Sequence, residues 1–137
     1  MQTPLVGLII LAAGASTRMG TPKQLLTYQN RSLLRHTAEV AIASCCHPIA
    51  VVLGAQIDRI APEVNELDLH VVENKQWAEG MGTSIQAGLT TLTAIEPNLS
   101  AVMLLLCDQP FVSADLLNQI VEAYCSTGRA IVACEYV

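Results

Sequence analysis

Aromatic and basic residues are scarce in this chain of 137 residues. Phe, Trp and Tyr together make up 4% of it, whereas apolar residues make up 52%. An apolar fraction this high excludes a disordered chain, and the shortage of aromatic rings is typical of an α/β interior filled by Val, Leu, Ile and Ala. Lys and Arg number 7 against 12 Asp and Glu, for a net charge of −5. This balance argues against a nucleic-acid surface, but a local cluster of cations can still bind one nucleotide.

Long apolar runs, a signal peptide and paired cysteines are also missing. No run approaches the roughly 20 residues of a membrane span, and no cationic segment precedes an apolar one at the amino terminus, so we predict a soluble, cytoplasmic protein with no membrane partner. The five cysteines form no C-x-x-C pair, which predicts reduced, buried thiols at Cys107, Cys125 and Cys134 in place of a disulfide framework or a zinc site. The three histidines share no spacing, and we predict no role for them in catalysis or metal binding.

Short apolar runs alternate with helical patterns along the chain. The runs predict strands over residues 5–11, 49–54, 69–73, 101–107 and 130–134. Helices are predicted over 32–44, 83–92 and 113–128, where Ser32, Thr83 and Ser113 start them and Gly128 stops the last, with a shorter helix within 56–65 that Pro62 breaks. This alternation predicts one Rossmann-like α/β domain over residues 1–137, with an open, mainly parallel sheet and helices on both faces. Ligands bind such sheets outside the carboxyl ends of the strands.

A loop of small residues carrying two cations follows the first predicted strand. The backbone from Ala12 to Ser16 can approach a ligand closely and can form a nest of amides for phosphate oxygens. Arg18 and Lys23 then supply positive charge, and Pro22 helps to direct Lys23. The loop therefore predicts a site for a nucleoside triphosphate. An ordinary strand-to-helix turn with two solvated cations is the alternative.

Two familiar phosphate-binding loops do not fit these residues. A P-loop needs a second glycine followed by lysine five positions after Gly14, where the chain has Met19. The dinucleotide fingerprint lacks its further glycines, and no acidic residue ends the second predicted strand near Leu53. If the loop binds a nucleotide, the site is therefore of a different kind.

Three motifs together resemble a known family. The loop over residues 11–26, LAAGASTRMGTPKQLL, is similar to the signature of the MobA-like nucleotidyltransferases, which transfer a cytidylyl or guanylyl group to the molybdenum cofactor. NKQWAEGMGTSI over residues 74–85 and LLCDQPF over 105–111 agree with it. The resemblance implies a fold of the nucleotide-diphospho-sugar transferase type. It also implies transfer of CMP or GMP from CTP or GTP to a molybdopterin-type phosphate, with pyrophosphate released and Mg²⁺ as cofactor.

The site residues follow from the motifs and the resemblance together. Lys23 and Arg18 are the predicted catalytic cations, and Asp108 is the predicted Mg²⁺ ligand, with an Asx turn as its alternative. The predicted nucleotide-binding residues are Leu11, Ala12, Ala13, Gly14, Ser16, Lys23, Gly80, Met81, Gly82 and Ser84. The glycine pair at 80 and 82 is predicted to face the base, and Thr83 or Ser84 to cap the following helix. Trp77 is predicted to anchor its loop in the core, with stacking on a ligand as the alternative.

Other partners and other functions remain open at this stage. The resemblance implies a molybdoenzyme or a chaperone as a protein partner and no nucleic acid. Another cytidylyltransferase or a sugar-phosphate nucleotidyltransferase shares the first loop, and a nucleotide-binding regulatory module without turnover is a third possibility. Domains of this type continue for roughly another third of this length, so the resemblance implies a chain truncated at its carboxyl end. A second acidic metal ligand has no counterpart here, and we expect weak activity or none from these residues alone.

Overall fold

A parallel sheet forms the centre of the computed structural model, which describes residues 5–15, 17–18, 20–107 and 112–127. Its four strands are β1 (Val6–Leu11), β2 (Ile49–Leu53), β3 (His70–Glu73) and β4 (Ala101–Leu106). They pair in the order β3-β2-β1-β4. The chain adds β2 and β3 on one side of β1 and then crosses over to add β4 on the other side, so the strand order reverses between β1 and β4. Leu11 at the end of β1 is aligned with Val52 on one side and Leu106 on the other. The predicted open parallel sheet is confirmed, and the predicted strand over 130–134 lies outside the described residues.

In the described part of the chain, four helices connect or follow these strands: α1 (Leu33–Ala43), α2 (Ile57–Ile60), α3 (Met81–Ile95) and α4 (Ala114–Thr127). The Oγ of Ser32 accepts from the amide of Arg35 at 3.1 Å, and Ser113 Oγ accepts from that of Leu116 at the same distance, so both predicted caps are confirmed. α2 passes into a 3-10 turn, Ala61–Glu63, at the predicted break.

The start predicted for α3 is wrong. The helix begins at Met81, two residues before Thr83, because Gly80 takes the capping position with a φ of 121° that favours glycine. Neither Thr83 nor Ser84 is the cap. No side chain of a described residue caps the helix amino terminus, and the Thr83 hydroxyl donates back to the Gly80 carbonyl at 2.7 Å.

Apolar side chains of alternating strand positions fill two cores on opposite faces of the sheet, as the pleat requires. On one face Leu8 and Ile10 of β1 pack with residues of α1, α2 and α4. On the other, Ile9 and Leu11 pack with Ile85 and Leu92 of α3, among others. Helices on both faces are therefore confirmed.

Two glycines bring neighbouring elements unusually close. A Cβ at Gly88 of α3 would lie 2.8 Å from side-chain atoms of Ile9, so α3 rests directly on β1. A Cβ at Gly54, just after β2, would lie 2.7 Å from Trp77. Trp77 begins a 3-10 turn and packs against the α3-side core, which confirms its predicted role as an anchor.

Two short hairpins between β1 and α1 were not expected from the sequence. Thr17–Arg18 pairs with Thr21–Pro22, and Thr27–Tyr28 pairs with Arg31–Ser32. Strands of two residues are too short to show an alternating pattern, so periodicity cannot reveal them. They fold the loop after β1 back toward the sheet.

The outer face of β4 and some cysteines are more exposed than the sequence indicated. Leu104 and Leu106 are 47% and 36% exposed on the face where α3 covers β1, β2 and β3.

Cys107 is buried as predicted, but the prediction for Cys125 is wrong, because it lies on the exposed side of α4. Cys134 lies outside the described residues. No helix in the described part of the chain is both long and apolar enough to span a membrane.

Candidate active site

A crevice of about 180 Å³ opens at the carboxyl ends of β1 and β4. Its walls are formed by Leu11, Ala12, Gly14, Lys23, Gln24, Met81, Leu106 and Cys107. This is the point at which the strand order reverses, where neighbouring connections leave the sheet in opposite directions and create space for a ligand. The crevice therefore lies where an open parallel sheet ordinarily binds its ligand.

The loop after β1 continues the hydrogen bonding of the sheet before it turns away. The amide of Ala12 donates to the carbonyl of Val52 at 3.1 Å, and the amide of Ala55 donates to that of Ala13 at 3.0 Å. The Ala12 amide is thus occupied and cannot belong to a phosphate nest. Ala13 points into the α3-side core, whereas Gly14 is exposed and borders the crevice.

Lys23 is placed on the crevice wall by the proline before it. Pro22 ends the first hairpin with a φ of −55° and a ψ of 139°, and Lys23 then begins a 3-10 turn, Lys23–Leu25. The side chain is half-buried, and it is the one charged side chain among the described residues that line the crevice. No carboxylate within the described part of the chain forms an ion pair with it. Its charge is therefore available to an anion.

Gln24 fixes the path of the loop after β1 through hydrogen bonds of its side-chain amide. Its Nε2 donates to the carbonyl of Ala12 at 2.8 Å and to that of Gly14 at 3.1 Å, and the residue is 5% exposed. A buried amide with two backbone acceptors fixes both the side chain and the path of the loop. Lys23 and Gln24 thus contribute differently, one toward the open crevice and the other toward the backbone.

A polar network fixes the start of α3 on the far side of the crevice. The Nδ2 of buried Asn74 donates to Thr83 Oγ1 and to Ser84 Oγ, each at 2.9 Å, and its Oδ1 accepts from the amide of Gln76 at 2.9 Å. The Asn74 amide itself donates to the Leu53 carbonyl at 2.7 Å, which joins the network to β2. The side-chain amide and the backbone N–H of Asn74 therefore tie the start of α3 to β2.

The carboxyl end of β4 is tied to α1. The hydroxyl of Thr37 donates to the Cys107 carbonyl at 3.3 Å, so a buried helix residue positions the backbone where the crevice ends. Asp108, the predicted metal ligand, follows directly in the sequence but lies outside the described residues. Among the residues that are described, no group of three or more His, Cys, Asp or Glu side chains could hold a metal ion.

Most of the predicted nucleotide-binding residues lie at or beside the crevice. Leu11, Ala12, Gly14, Lys23 and Met81 line it. Gly80, Gly82 and Ser84 flank Met81 at the start of α3, although the Ser84 hydroxyl is engaged by Asn74. Arg18 pairs through its backbone with Thr21 in the first hairpin, and Ser16 lies outside the described residues. The roles assigned to these residues remain predictions.

Gln24 and Asn74 are two polar site residues that the sequence reasoning missed. Each is a polar residue inside a recognised motif, directly after Lys23 in one case and directly after β3 in the other. The usable signal was position, because a polar residue at a strand mouth or beside a phosphate-binding cation is well placed to organise a loop. Leu106, which also lines the crevice, was treated only as part of a strand.

Comparison with known proteins identifies one family, although one relative carries the name of a different kind of enzyme. The model of the MobA-like NTP transferase domain matches residues 8–137. Nicotine blue oxidoreductase of Paenarthrobacter nicotinovorans is 33% identical over 122 residues, which are 88% of this chain and 58% of that protein. The bifunctional protein GlmU of Corynebacterium aurimucosum is 34% identical over 130 residues, or 90% of this chain and 26% of GlmU.

Solved structures agree on the fold. The crystal structure of Rv0371c from Mycobacterium tuberculosis H37Rv has a TM-score of 0.78 at 28% identity, over 92% of this chain and 63% of that one. The 4-diphosphocytidyl-2C-methyl-D-erythritol synthase of Anaerococcus prevotii has a TM-score of 0.71 at 21% identity, over 88% of this chain and 51% of the synthase. The chain thus spans less than two thirds of the relatives it matches.

Proposed function

Since this chain belongs to the MobA-like NTP transferase domain family, we propose that it is a nucleotidyltransferase that moves CMP or GMP from CTP or GTP to a molybdopterin-type phosphate. One observation carries the proposal: Lys23 stands without an ion-pair partner among the described residues, on the wall of a crevice at the reversal point of the sheet. An unneutralised cation at that position suits a highly charged anion such as a triphosphate.

Lys23 has a defined part in this reaction. An oxygen of the acceptor phosphate attacks the α-phosphorus of the nucleotide, the bond from that phosphorus to the bridging oxygen of the β-phosphate breaks, and pyrophosphate leaves with the bonding electrons. Negative charge grows on the nonbridging and leaving oxygens, so a fixed cation lowers the barrier. Lys23 supplies that charge, and Arg18 on the neighbouring hairpin is proposed as the second cation.

The start of α3 is proposed to hold the nucleoside. Met81 borders the crevice, and the backbone on either side of it carries no Cβ at Gly80 and Gly82, so a base edge can approach main-chain groups closely. Asn74 fixes this segment through Thr83 and Ser84. The apolar side chains of Leu11 and Leu106 line the same crevice and can contact the flat faces of the base.

Asp108 is proposed to hold the metal. A divalent cation, when bound, neutralises triphosphate oxygens, and a carboxylate with phosphate oxygens suits Mg²⁺. The described residues of the crevice contribute no carboxylate, so Asp108 beside Cys107 is the residue that the sequence offers. The name of one related structure, Rv0371c in complex with manganese, supports a divalent metal in that protein, which is 28% identical to this chain with a TM-score of 0.65.

Titration calorimetry with CTP and GTP in the presence of Mg²⁺ tests the phosphate site. Lys23→Ala should weaken binding about 5- to 150-fold, which corresponds to the roughly 1–3 kcal/mol of a charged hydrogen bond. Arg59→Ala is the control, because it removes one positive charge from an exposed position on α2 that is outside the crevice lining. Equal affinities of the two variants would remove Lys23 from the site.

Pyrophosphate release with molybdenum cofactor as acceptor tests the transfer itself. Release that requires the acceptor and either CTP or GTP supports the proposal. Release with a sugar phosphate or a methylerythritol phosphate instead would favour another nucleotidyltransferase, a class to which the similarity to GlmU also points. Little or no release is expected from these 137 residues alone, so nucleotide binding without any release by a chain extended to the length of its relatives would favour a regulatory module. A molybdoenzyme or a chaperone would then be sought as protein partner by co-purification.

A redox function is the second candidate, because a relative at 33% identity bears the name nicotine blue oxidoreductase. The end of β2 argues against a Rossmann-type dinucleotide site, since Leu53, Gly54 and Ala55 stand where such a site places an acidic residue for the ribose. Dye reduction by a reduced dinucleotide, measured by absorbance, separates the two functions. Reduction without pyrophosphate release would replace the transferase proposal.

A further inference from the structure

The orientation of the Gln24 amide is determined by two backbone carbonyls. An amide nitrogen carries two hydrogens, and those of Nε2 are both used, toward Ala12 at 2.8 Å and Gly14 at 3.1 Å. Exchanging nitrogen and oxygen would place Oε1 against two carbonyl oxygens, which cannot donate. The nitrogen must therefore face the loop, and the oxygen must face away from those two carbonyls.

The Oε1 atom is the unsatisfied part of this side chain. It is buried and accepts no hydrogen bond from any residue that the structure describes. A buried carbonyl oxygen without a donor costs free energy, and such groups usually have a partner in the functional state of a protein. Gln24 lines the crevice, so a ligand in the crevice is available as that partner.

We propose that Gln24 is a nucleotide-binding residue whose Oε1 accepts a hydrogen bond from the nucleoside part of the ligand. This inference rests on the nucleotide site of the proposed function. The phosphate oxygens of a triphosphate are acceptors near neutral pH and cannot satisfy another acceptor. The donors of a nucleotide are the N–H groups of its base and the hydroxyls of its ribose, so the partner of Oε1 belongs to one of these.

The same side chain then links ligand and loop. Its nitrogen holds Ala12 and Gly14, and its oxygen holds the nucleoside, so a bound nucleotide and the loop share one rigid amide. Lys23 is the preceding residue and contacts the phosphate end in the proposed function. Two adjacent residues would thus contact the two ends of one ligand. Lys23 contacts the charged phosphates, and Gln24 accepts from a hydrogen-bond donor of the nucleoside.

Pairs of ligands that differ by one donor test the proposal by calorimetry. Two pairs of ligands differ in the base. CTP is compared with its pyrimidin-2-one analogue, which lacks the amino group, and GTP is compared with ITP, which lacks the 2-amino group. The sugar pairs are CTP and GTP with their 2′-deoxy and 3′-deoxy forms. Each pair is measured on the unmodified chain, on Gln24→Met, and on Gln119→Met, which makes the same change at an exposed position of α4. A thermodynamic cycle then isolates the contact between the donor and residue 24.

For one pair we expect the unmodified chain and Gln119→Met to bind the ligand with the donor about tenfold more tightly, a factor within the range of one hydrogen bond. Gln24→Met should lose that preference while still binding the phosphates. Both variants lose the two donors to the loop, but Gln24→Glu also turns a carboxylate toward the loop carbonyls and the triphosphate, so it should weaken binding of every ligand more than Gln24→Met does. Thermal melting checks that both variants are folded. A preference unchanged in Gln24→Met for every pair overturns the inference, even where Lys23→Ala shows that the nucleotide site exists. Absence of triphosphate binding by the unmodified chain overturns the proposed function as well.

Discussion

The hydroxyl of Thr37 and the backbone carbonyl of Cys107 are joined across the boundary between α1 and the end of β4, at a distance of 3.3 Å. Thr37 is buried, and Cys107 is the last described residue before Asp108. A helix on one face of the sheet therefore determines where the backbone enters the crevice.

Thr37→Val should lower the free energy of unfolding by about 1 kcal/mol, because it removes this hydrogen bond while keeping the shape of the side chain. We also expect weaker stimulation of CTP binding by Mg²⁺, since the segment leading to Asp108 loses its tie. Urea unfolding and calorimetry with and without Mg²⁺ measure the two effects. Thr37→Ser retains the hydroxyl and should recover the metal effect, so a serine variant as impaired as the valine variant would contradict this account.

Gly88→Ala should destabilise the protein by about 1–3 kcal/mol, as overpacking of a core does. The new methyl group would lie 2.8 Å from Ile9, so either α3 or the isoleucine must move. Ile9→Ala in the same chain makes room, and the double variant should be more stable than the sum of the two single changes predicts. Thermal unfolding of the four proteins measures this coupling, and strict additivity would show that the contact is relieved elsewhere.

Asn74→Ala should cost about 1–3 kcal/mol of unfolding free energy, because the buried Ser84 hydroxyl, the Thr83 hydroxyl and the Gln76 amide lose a partner. The loosened start of α3 should also weaken CTP or GTP binding. Asn74→Asp separates the two effects: its charge is favourable at a helix amino terminus but repels a triphosphate. We expect the aspartate variant to regain stability in urea while its nucleotide affinity falls below that of the alanine variant. Stability and affinity that change in parallel in both variants would refute this reading.

Cys46 should resist alkylation at pH 8, whereas exposed Cys45 and Cys125 react. Burial raises the pKa of the Cys46 thiol from 9.0 to about 11, so very little reactive thiolate is present. The folded state then holds its proton more tightly than the unfolded chain does, so this contribution to stability is complete below pH 9 and is lost as the pH rises toward about 11. Peptide mass spectrometry after iodoacetamide treatment measures the first effect. Melting at pH 8 and pH 10 measures the second, with Cys46→Ala expected to show the smaller decline.

Elements that rest on local patterns were predictable from the sequence. The strand that became β1 is an unbroken apolar run, and Ser32 and Ser113 carry the cap signal of α1 and α4. The start of α3 was not predictable in this way. Its cap is Gly80, whose suitability comes from a left-handed backbone and not from a side chain that can be recognised.

Site residues were predictable where the type of side chain alone indicates its chemistry. They were not predictable where a role depends on contacts that form only in the folded chain. Lys23 was predicted because a cation after a small-residue loop suits phosphate, and the structure places it in the crevice lining while its role stays a prediction. Gln24 was missed because its partners are the carbonyls of residues ten and twelve positions earlier, which meet it only after the first hairpin folds back. Asn74 was missed for the same reason, since Thr83 and Ser84 reach it only once the intervening turn is formed.

The contact between Gly88 and Ile9 has a consequence for redesign of specificity. It sets the distance between α3 and the sheet at the middle of the helix, and the residues at the helix start take no part in this contact. The segment from Asn74 to Ser84 contains both ends of the Asn74 network, so we expect it to be exchangeable between relatives as one unit if Gly88, Ile9 and the packing of Trp77 against Gly54 are kept. If this segment holds the base, as proposed, recognition of a different base would then require no change in the sheet beneath it.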